Sequence, residues 1–122
     1  MDSIPIEPAA FFAALGDPTR LRLVELLARQ RAKRALCVKA LAHRLGVSQP
    51  AVSQHLQVLR GVGLVYSRRR GARVHYFLDG ERLRLGQSFL GALADAAGGG
   101  APPVAQGEGL PASGRETSSC AA

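Results

Sequence analysis

Aromatic side chains make up only 5% of the sequence, and tryptophan is absent. That scarcity argues against a stacking platform for single-stranded nucleic acid and against an aromatic-lined sugar or cofactor pocket. Cysteine is nearly as rare. Cys37 and Cys120 stand far apart with no CxxC pairing, so one chain can build neither a disulfide framework nor a closed cysteine-rich zinc site, and a reducing compartment is expected. The longest early apolar stretch, residues 9–15, is too short to span a bilayer. Residues 1–8 are short and acidic, unlike a secretory leader, so a cytoplasmic protein with no membrane partner is expected. Also missing are a Gly-rich phosphate loop, a paired acid and base, and a nucleophile with an orienting partner, which together disfavour an enzyme.

Acid is scarce where base is dense. The 122 residues carry 16 Lys and Arg against 9 Asp and Glu, a net charge of +7. Residues 20–76 hold 13 of those basic residues and a single acid, Glu25, so this stretch alone is +12. A basic middle between less basic ends points to a shaped anion-binding face and a polyanionic partner, with an ordinary solvated surface as the bland alternative. Residues 98–122 are rich in Gly, Pro, Ser and Ala and have few large apolar side chains to offset ordering entropy, so a disordered tail is expected there. Cys120 falls inside it, an exposed thiol without structural duty. The remainder, residues 1–97, reads as one domain.

Its folded part opens with an apolar helix from Pro8 to Leu15, ended by Gly16. Asp17 then caps, with Pro18 at the first helical position, and Leu21, Leu23, Val24, Leu26 and Leu27 carry helical spacing through Gln30. After a basic link, Leu41 and Leu45 stand one turn apart in a short helix that begins near Cys37 and stops at Gly46. Ser48 caps a further helix over residues 49–60, with Val52, Leu56 and Leu59 on one face and Gln49, Ser53, Gln54 and Gln57 elsewhere. Beyond Gly61 and Gly63 the period changes to a β-hairpin, residues 64–67 and 74–78, whose tip carries Arg68, Arg69, Arg70 and Arg73. Helical spacing returns over residues 81–97, although Gly86 and Gly91 weaken that helix by roughly 1 kcal/mol each relative to Ala.

Helix, glycine turn and a helix with one polar face form a helix-turn-helix, and the hairpin that follows makes it a winged helix, mainly α with a β-hairpin wing. Ser48, Gln49, Ser53, Gln54, His55 and Gln57 are the candidates to meet base edges, Gln54 foremost because glutamine pairs naturally with adenine. Arg68, Arg69, Arg70 and Arg73 are the candidates for phosphate or the minor groove. Taken one at a time, each polar residue could simply solvate an exposed helix. His43 and His75 fall on other elements, and no two histidines form a near-sequence ligand pair.

The runs LGDPTRLRLVELLARQ (residues 15–30) and LCVKALAHRLGVSQPAVSQHLQVLRGVGLV (residues 36–65), with VHYFL at residues 74–78, resemble the ArsR/SmtB family of bacterial metal-sensing repressors over about three quarters of the chain. The resemblance implies a homodimer formed through the first and last helices, which would employ the apolar surface of Phe11, Phe12, Leu15, Leu90 and Leu93. It also implies double-stranded operator DNA bearing an imperfect inverted repeat.

The signal is less well defined by the residues. Family members often carry Cys-Val-Cys at the start of the helix before the reading helix. Here Cys37 aligns with the first cysteine and Lys39 replaces the second, so Cys37 is expected to be a plain buried core thiol. A second family site lies on the last helix and is built across the dimer from Asp-x-His, ten residues, then His-x-x-Glu, and at those spacings this chain offers Asp79, Glu81, Ala92 and Asp95. An oxygen-rich set suits a harder or octahedral divalent ion, and the resemblance implies nickel before zinc because family members that sense nickel use His and carboxylate ligands, so a divalent metal effector held by Asp79, Glu81 and Asp95 is one expectation. Asp79 as an N-cap is the competing one. Two further readings stand beside the metal-responsive regulator: a metal-independent regulator whose partner protein carries the signal, and a winged-helix protein-interaction module.

Overall fold

The computed structural model describes residues 6–98. Along the chain run α1 (Pro8–Leu15), α2 (Pro18–Arg29), one 3-10 turn (Ala32–Arg34), α3 (Val38–Leu45), α4 (Gln49–Gly61), β1 (Val65–Arg70), β2 (Arg73–Leu78) and α5 (Gly80–Gly98). The tail expected over residues 98–122, Cys120 included, lies outside the described residues except for Gly98, which closes α5.

Helices begin where a side chain can accept an otherwise unpaired backbone N–H. Glu7 accepts from the N–H of Ala10 at 3.1 Å, Asp17 from that of Arg20 at 3.0 Å and Ser48 from that of Ala51 at 3.2 Å. Pro8, Pro18 and Pro50 occupy first turns, where a missing N–H has no partner to lose. Gly46 stops α3 in the left-handed region at φ +71°, and its N–H returns to the Ala42 carbonyl at 2.8 Å. That sharp stop sets the corner between α3 and α4.

One core results. Leu23, Val24 and Leu27 of α2 meet Leu41, Ala42 and Leu45 of α3, then Val52, Leu56 and Leu59 of α4, with Leu64 and Val65 leading into the wing. Leu21 departs from the apolar spacing and stands outside at 45% exposure. Gln30, the residue after α2, anchors the wing. Its side-chain nitrogen donates to the Tyr76 carbonyl at 2.6 Å, and its oxygen accepts from the Leu36 N–H at 2.8 Å.

Three expectations need correction. Phe11, expected in a dimer interface, is only 2% exposed within the single chain, and its ring occupies the space a Cβ on Gly86 would need. A ring already withdrawn from water has little area left to bury against a second copy. Cys37 is not a buried core thiol, because it is the partly exposed N-cap of α3. The arginines, expected at the tip beyond strands 64–67 and 74–78, lie within the strands themselves. β1 and β2 are longer than the apolar pattern suggests and pair in register from Val65↔Leu78 to Arg70↔Arg73, so only Gly71 and Ala72 turn. Gly71, at φ +62°, supplies the glycine-first geometry of a two-residue type II′ turn.

The compact unit closes at Leu90. Residues 91–98 continue α5 and are exposed throughout. Among the described residues no helix is long and apolar enough to cross a membrane.

Candidate nucleic-acid interface

Val52, Leu56 and Leu59 hold one side of α4 in the core, so the remaining side must face outward. Ser48, Gln49, Ser53, Gln54 and Gln57 are exposed there, and His55 is half-buried. A helix of 13 residues is about 20 Å long, and a major groove is wide enough to admit an α-helix. Glutamine and serine side chains both donate and accept, so the face can pair with base edges in either sense.

The wing adds cationic charge. Residues directly opposite in the ladder share a face, which puts Arg68, Arg70 and Arg73 together with Tyr66, His75 and Phe77, while Arg69 shares the other face with Val74. All four arginines are exposed. Tyr66 and Phe77 stack at 5.7 Å, and the Arg68 guanidinium lies 5.6 Å from the Tyr66 ring centre. That cation–π contact restrains Arg68 and leaves Arg69, Arg70 and Arg73 to reach further. Arg70 opposite Arg73 is a repulsive cross-strand pair, which an approaching polyanion would relieve.

One contributor was missed by sequence reasoning. Arg20 of α2 donates through Nε to the Ala14 carbonyl at 2.7 Å, and its Nη1 lies 3.3 Å from His55 Nδ1. The Asp-Pro-Thr-Arg run was legible as a helix start, but nothing local reveals that its arginine reaches 35 residues along to the reading helix. Asp17 sits at the same place. Its carboxyl is held below the usual aspartate range chiefly by the Arg20 N–H, against some desolvation, with the charge of Arg20 assisting. His75 Nδ1 is buried without a hydrogen-bond partner among the described residues.

A helix-turn-helix with a cationic hairpin beside its polar helix defines the winged helix-turn-helix class of DNA-binding proteins. The model of the bacterial regulatory protein arsR family matches residues 17–67, from the N-cap of α2 into β1. The chain is 51% identical over 70 residues to a transcriptional repressor SmtB homologue of Synechocystis sp., covering 57% of this chain and 50% of the relative. It is 38% identical over 91 residues to an arsenic resistance transcriptional regulator of Pseudomonas putida, covering 75% of this chain and 69% of the relative. Among solved structures, the homodimeric winged helix-turn-helix DNA-binding domain from Mycobacterium bovis, a possible ArsR-family transcriptional regulator, superposes with a TM-score of 0.55 at 32% identity. That match covers 71% of this chain and 77% of the other. The chain belongs to the ArsR family of bacterial regulatory proteins. It spans half the length of the Synechocystis relative.

Within one chain, the described residues aligned with the family's metal sites do not assemble a metal-holding group. Cys37 lines a shallow pocket of about 340 Å³ with Lys39, Ala40, His43 and Arg44, so one thiol and one imidazole share the space with two cationic side chains. The N–H of Ala40, then that of Lys39, draws the thiol below its usual pKa without closing a capping hydrogen bond. A soft cation needs more thiolates and fewer positive neighbours. Asp79 is an N-cap of α5: its Oδ1 accepts from the N–H of Glu81 at 3.0 Å and of Arg82 at 3.3 Å. Among the described residues, no three His, Cys, Asp or Glu side chains stand together as a metal-holding group.

Proposed function

We propose that this chain is a homodimeric, sequence-specific transcriptional repressor that binds an imperfect inverted repeat in double-stranded operator DNA. The observation that carries the reading is the outward polar face of α4, from Ser48 to Gln57, beside a hairpin with four exposed arginines. Base edges would be read by Ser48, Gln49, Ser53, Gln54, His55 and Gln57, and phosphates held by Arg68, Arg69, Arg70 and Arg73. Dimerisation would employ Phe12, Leu15 and Leu90, joined by the exposed Phe89, whose ring lies 6.0 Å from that of the half-buried Phe12. Leu93, 54% exposed, extends the apolar side of α5. The homodimeric Mycobacterium domain supports this assembly, and the cytoplasm is where such DNA is met.

Selection of duplexes from a random pool by the purified chain tests the reading. The expected result is an enriched inverted repeat with half-sites about one turn, roughly 10 bp, apart, and an affinity that falls steeply with salt. Failure to enrich any sequence, with binding to an acidic protein instead, would replace it by a protein-interaction module.

For the signal, we favour the metal-independent form, in which another molecule, such as a partner protein, carries the message. The cap role of Asp79 and the cations around Cys37 support it. The names of relatives, arsenic and mercury resistance regulators among them, support a metal-responsive form; in that form the ion would be divalent, nickel before zinc, held by Asp79, Glu81 and Asp95. Titrating Ni(II), Zn(II), Co(II) and As(III) with and without the selected duplex decides between them. Any ion that weakens DNA binding must itself be weakened by DNA to the same factor.

A further inference from the structure

Arg20 lies away from the polar face of α4, yet it touches both that helix and α1. Its Nε donates to the Ala14 carbonyl at 2.7 Å, near the end of a helix with no basic residue of its own in the last turn. One of the free carbonyls there is thereby satisfied, and a positive charge is placed at the negative end of the helix dipole. The same guanidinium brings Nη1 to within 3.3 Å of His55 Nδ1. Guanidinium nitrogens only donate, and arginine stays charged at every accessible pH. For this contact to be a hydrogen bond, Nδ1 must present its lone pair.

We propose that Arg20 is a positioning residue for DNA reading: it holds His55 Nδ1 as an acceptor and so selects the tautomer with its proton on Nε2, and the ring offers DNA a donor and no acceptor. The inference rests on the operator-binding reading above. Nε2 has no hydrogen-bond partner among the described residues. A fixed Nε2–H suits guanine N7 or O6, adenine N7, thymine O4 or a phosphate oxygen, and it rejects the amino groups of adenine and cytosine, which require an acceptor. An imidazole free to exchange tautomers would accept either kind of partner. Arg20 thus turns a chemically ambiguous side chain, next to Gln54 on α4, into one of defined sense. The rigid fork matters as well as the charge, because one planar group must serve the Ala14 carbonyl and the ring together.

The test begins with long-range proton–nitrogen NMR correlations of the His55 ring in the full chain at pH about 8, above the ordinary histidine range. A protonated Nε2 and an unprotonated Nδ1 are expected in the parent, and an exchanging mixture in Arg20→Met. A proton on Nδ1, or a mixture in the parent, would overturn the proposal without any variant having to fold. Affinities are then measured for the duplex enriched from the random pool and for a set with each base pair substituted in turn. Arg20→Lys is expected to bind random duplex within about twofold of the parent, since the charge remains. It should lose on the order of tenfold in discrimination at the same base pair that His55→Ala relaxes, with no further loss in the double variant. Additive losses, or equal losses on random and selected duplex, would make Arg20 a purely structural residue. If the pool yields no enriched duplex, the operator reading fails and takes the base-reading claim with it, whereas the NMR result still reports whether Arg20 sets the tautomer.

Discussion

Gln54 is exposed on a helix whose opposite side is fully buried, so its side chain can be changed with little effect on the core. Gln54→Ala should therefore lower affinity for the selected duplex by about 1–3 kcal/mol, relax choice at one base pair and leave binding to random DNA almost unchanged. Competition binding against single-substituted duplexes measures this, and equal loss on both kinds of DNA would remove Gln54 from the reading set. Gln30 serves the interior instead. Its amide joins the wing strand to the link before α3, a role no local pattern marks because both partners, Tyr76 and Leu36, come from elsewhere. Phe11 and Gly86 tell the same story: a glycine that weakens a helix by propensity is explained once the ring lying over it is seen.

At the scale of the element, α2 starts on Asp17, whose carboxyl pKa lies below the usual value mainly because it accepts the Arg20 N–H. A group depressed on folding stabilises the native state above its unfolded pKa, about 3.9 for aspartate, and that contribution is lost as pH falls through the folded value. Urea unfolding of Asp17→Ala should show lower stability than the parent at neutral pH, with the difference shrinking below pH about 4. A constant difference down to acid pH would deny the cap its charge. The wing is a second such element. Arg69 is exposed and outside the cation–π contact that restrains Arg68, so Arg69→Gln should weaken all duplexes alike and reduce the salt slope by about 0.9. An unchanged slope would place Arg69 off the phosphates.

For the whole molecule, Leu90 stands 52% exposed on α5, and Phe89, whose ring lies beside that of the half-buried Phe12, is 38% exposed. Apolar side chains in such numbers on a small domain favour association. Leu90→Glu should leave the monomer folded, raise the dimer dissociation constant by at least roughly tenfold and reduce operator affinity, since each copy then meets one half-site alone. Sedimentation and binding at matched concentrations check this; a parent that is monomeric at all concentrations would end the two-half-site reading.

The sequence by itself determined the helix starts, the glycine stop at residue 46, the buried faces and the change of period at the wing. Each of these depends on neighbours within a few positions, where capping and periodicity act. It also placed the polar set from Ser48 to Gln57 outside, because Val52, Leu56 and Leu59 leave it no other side. Tertiary structure alone decided that Phe11 is interior, that Cys37 borders a pocket with Lys39 and Arg44, and that the arginines extend a paired ladder. It alone brought Arg20 to His55. Such contacts are set by how packed helices cross, and no spacing in the chain encodes a meeting between residues 35 positions apart.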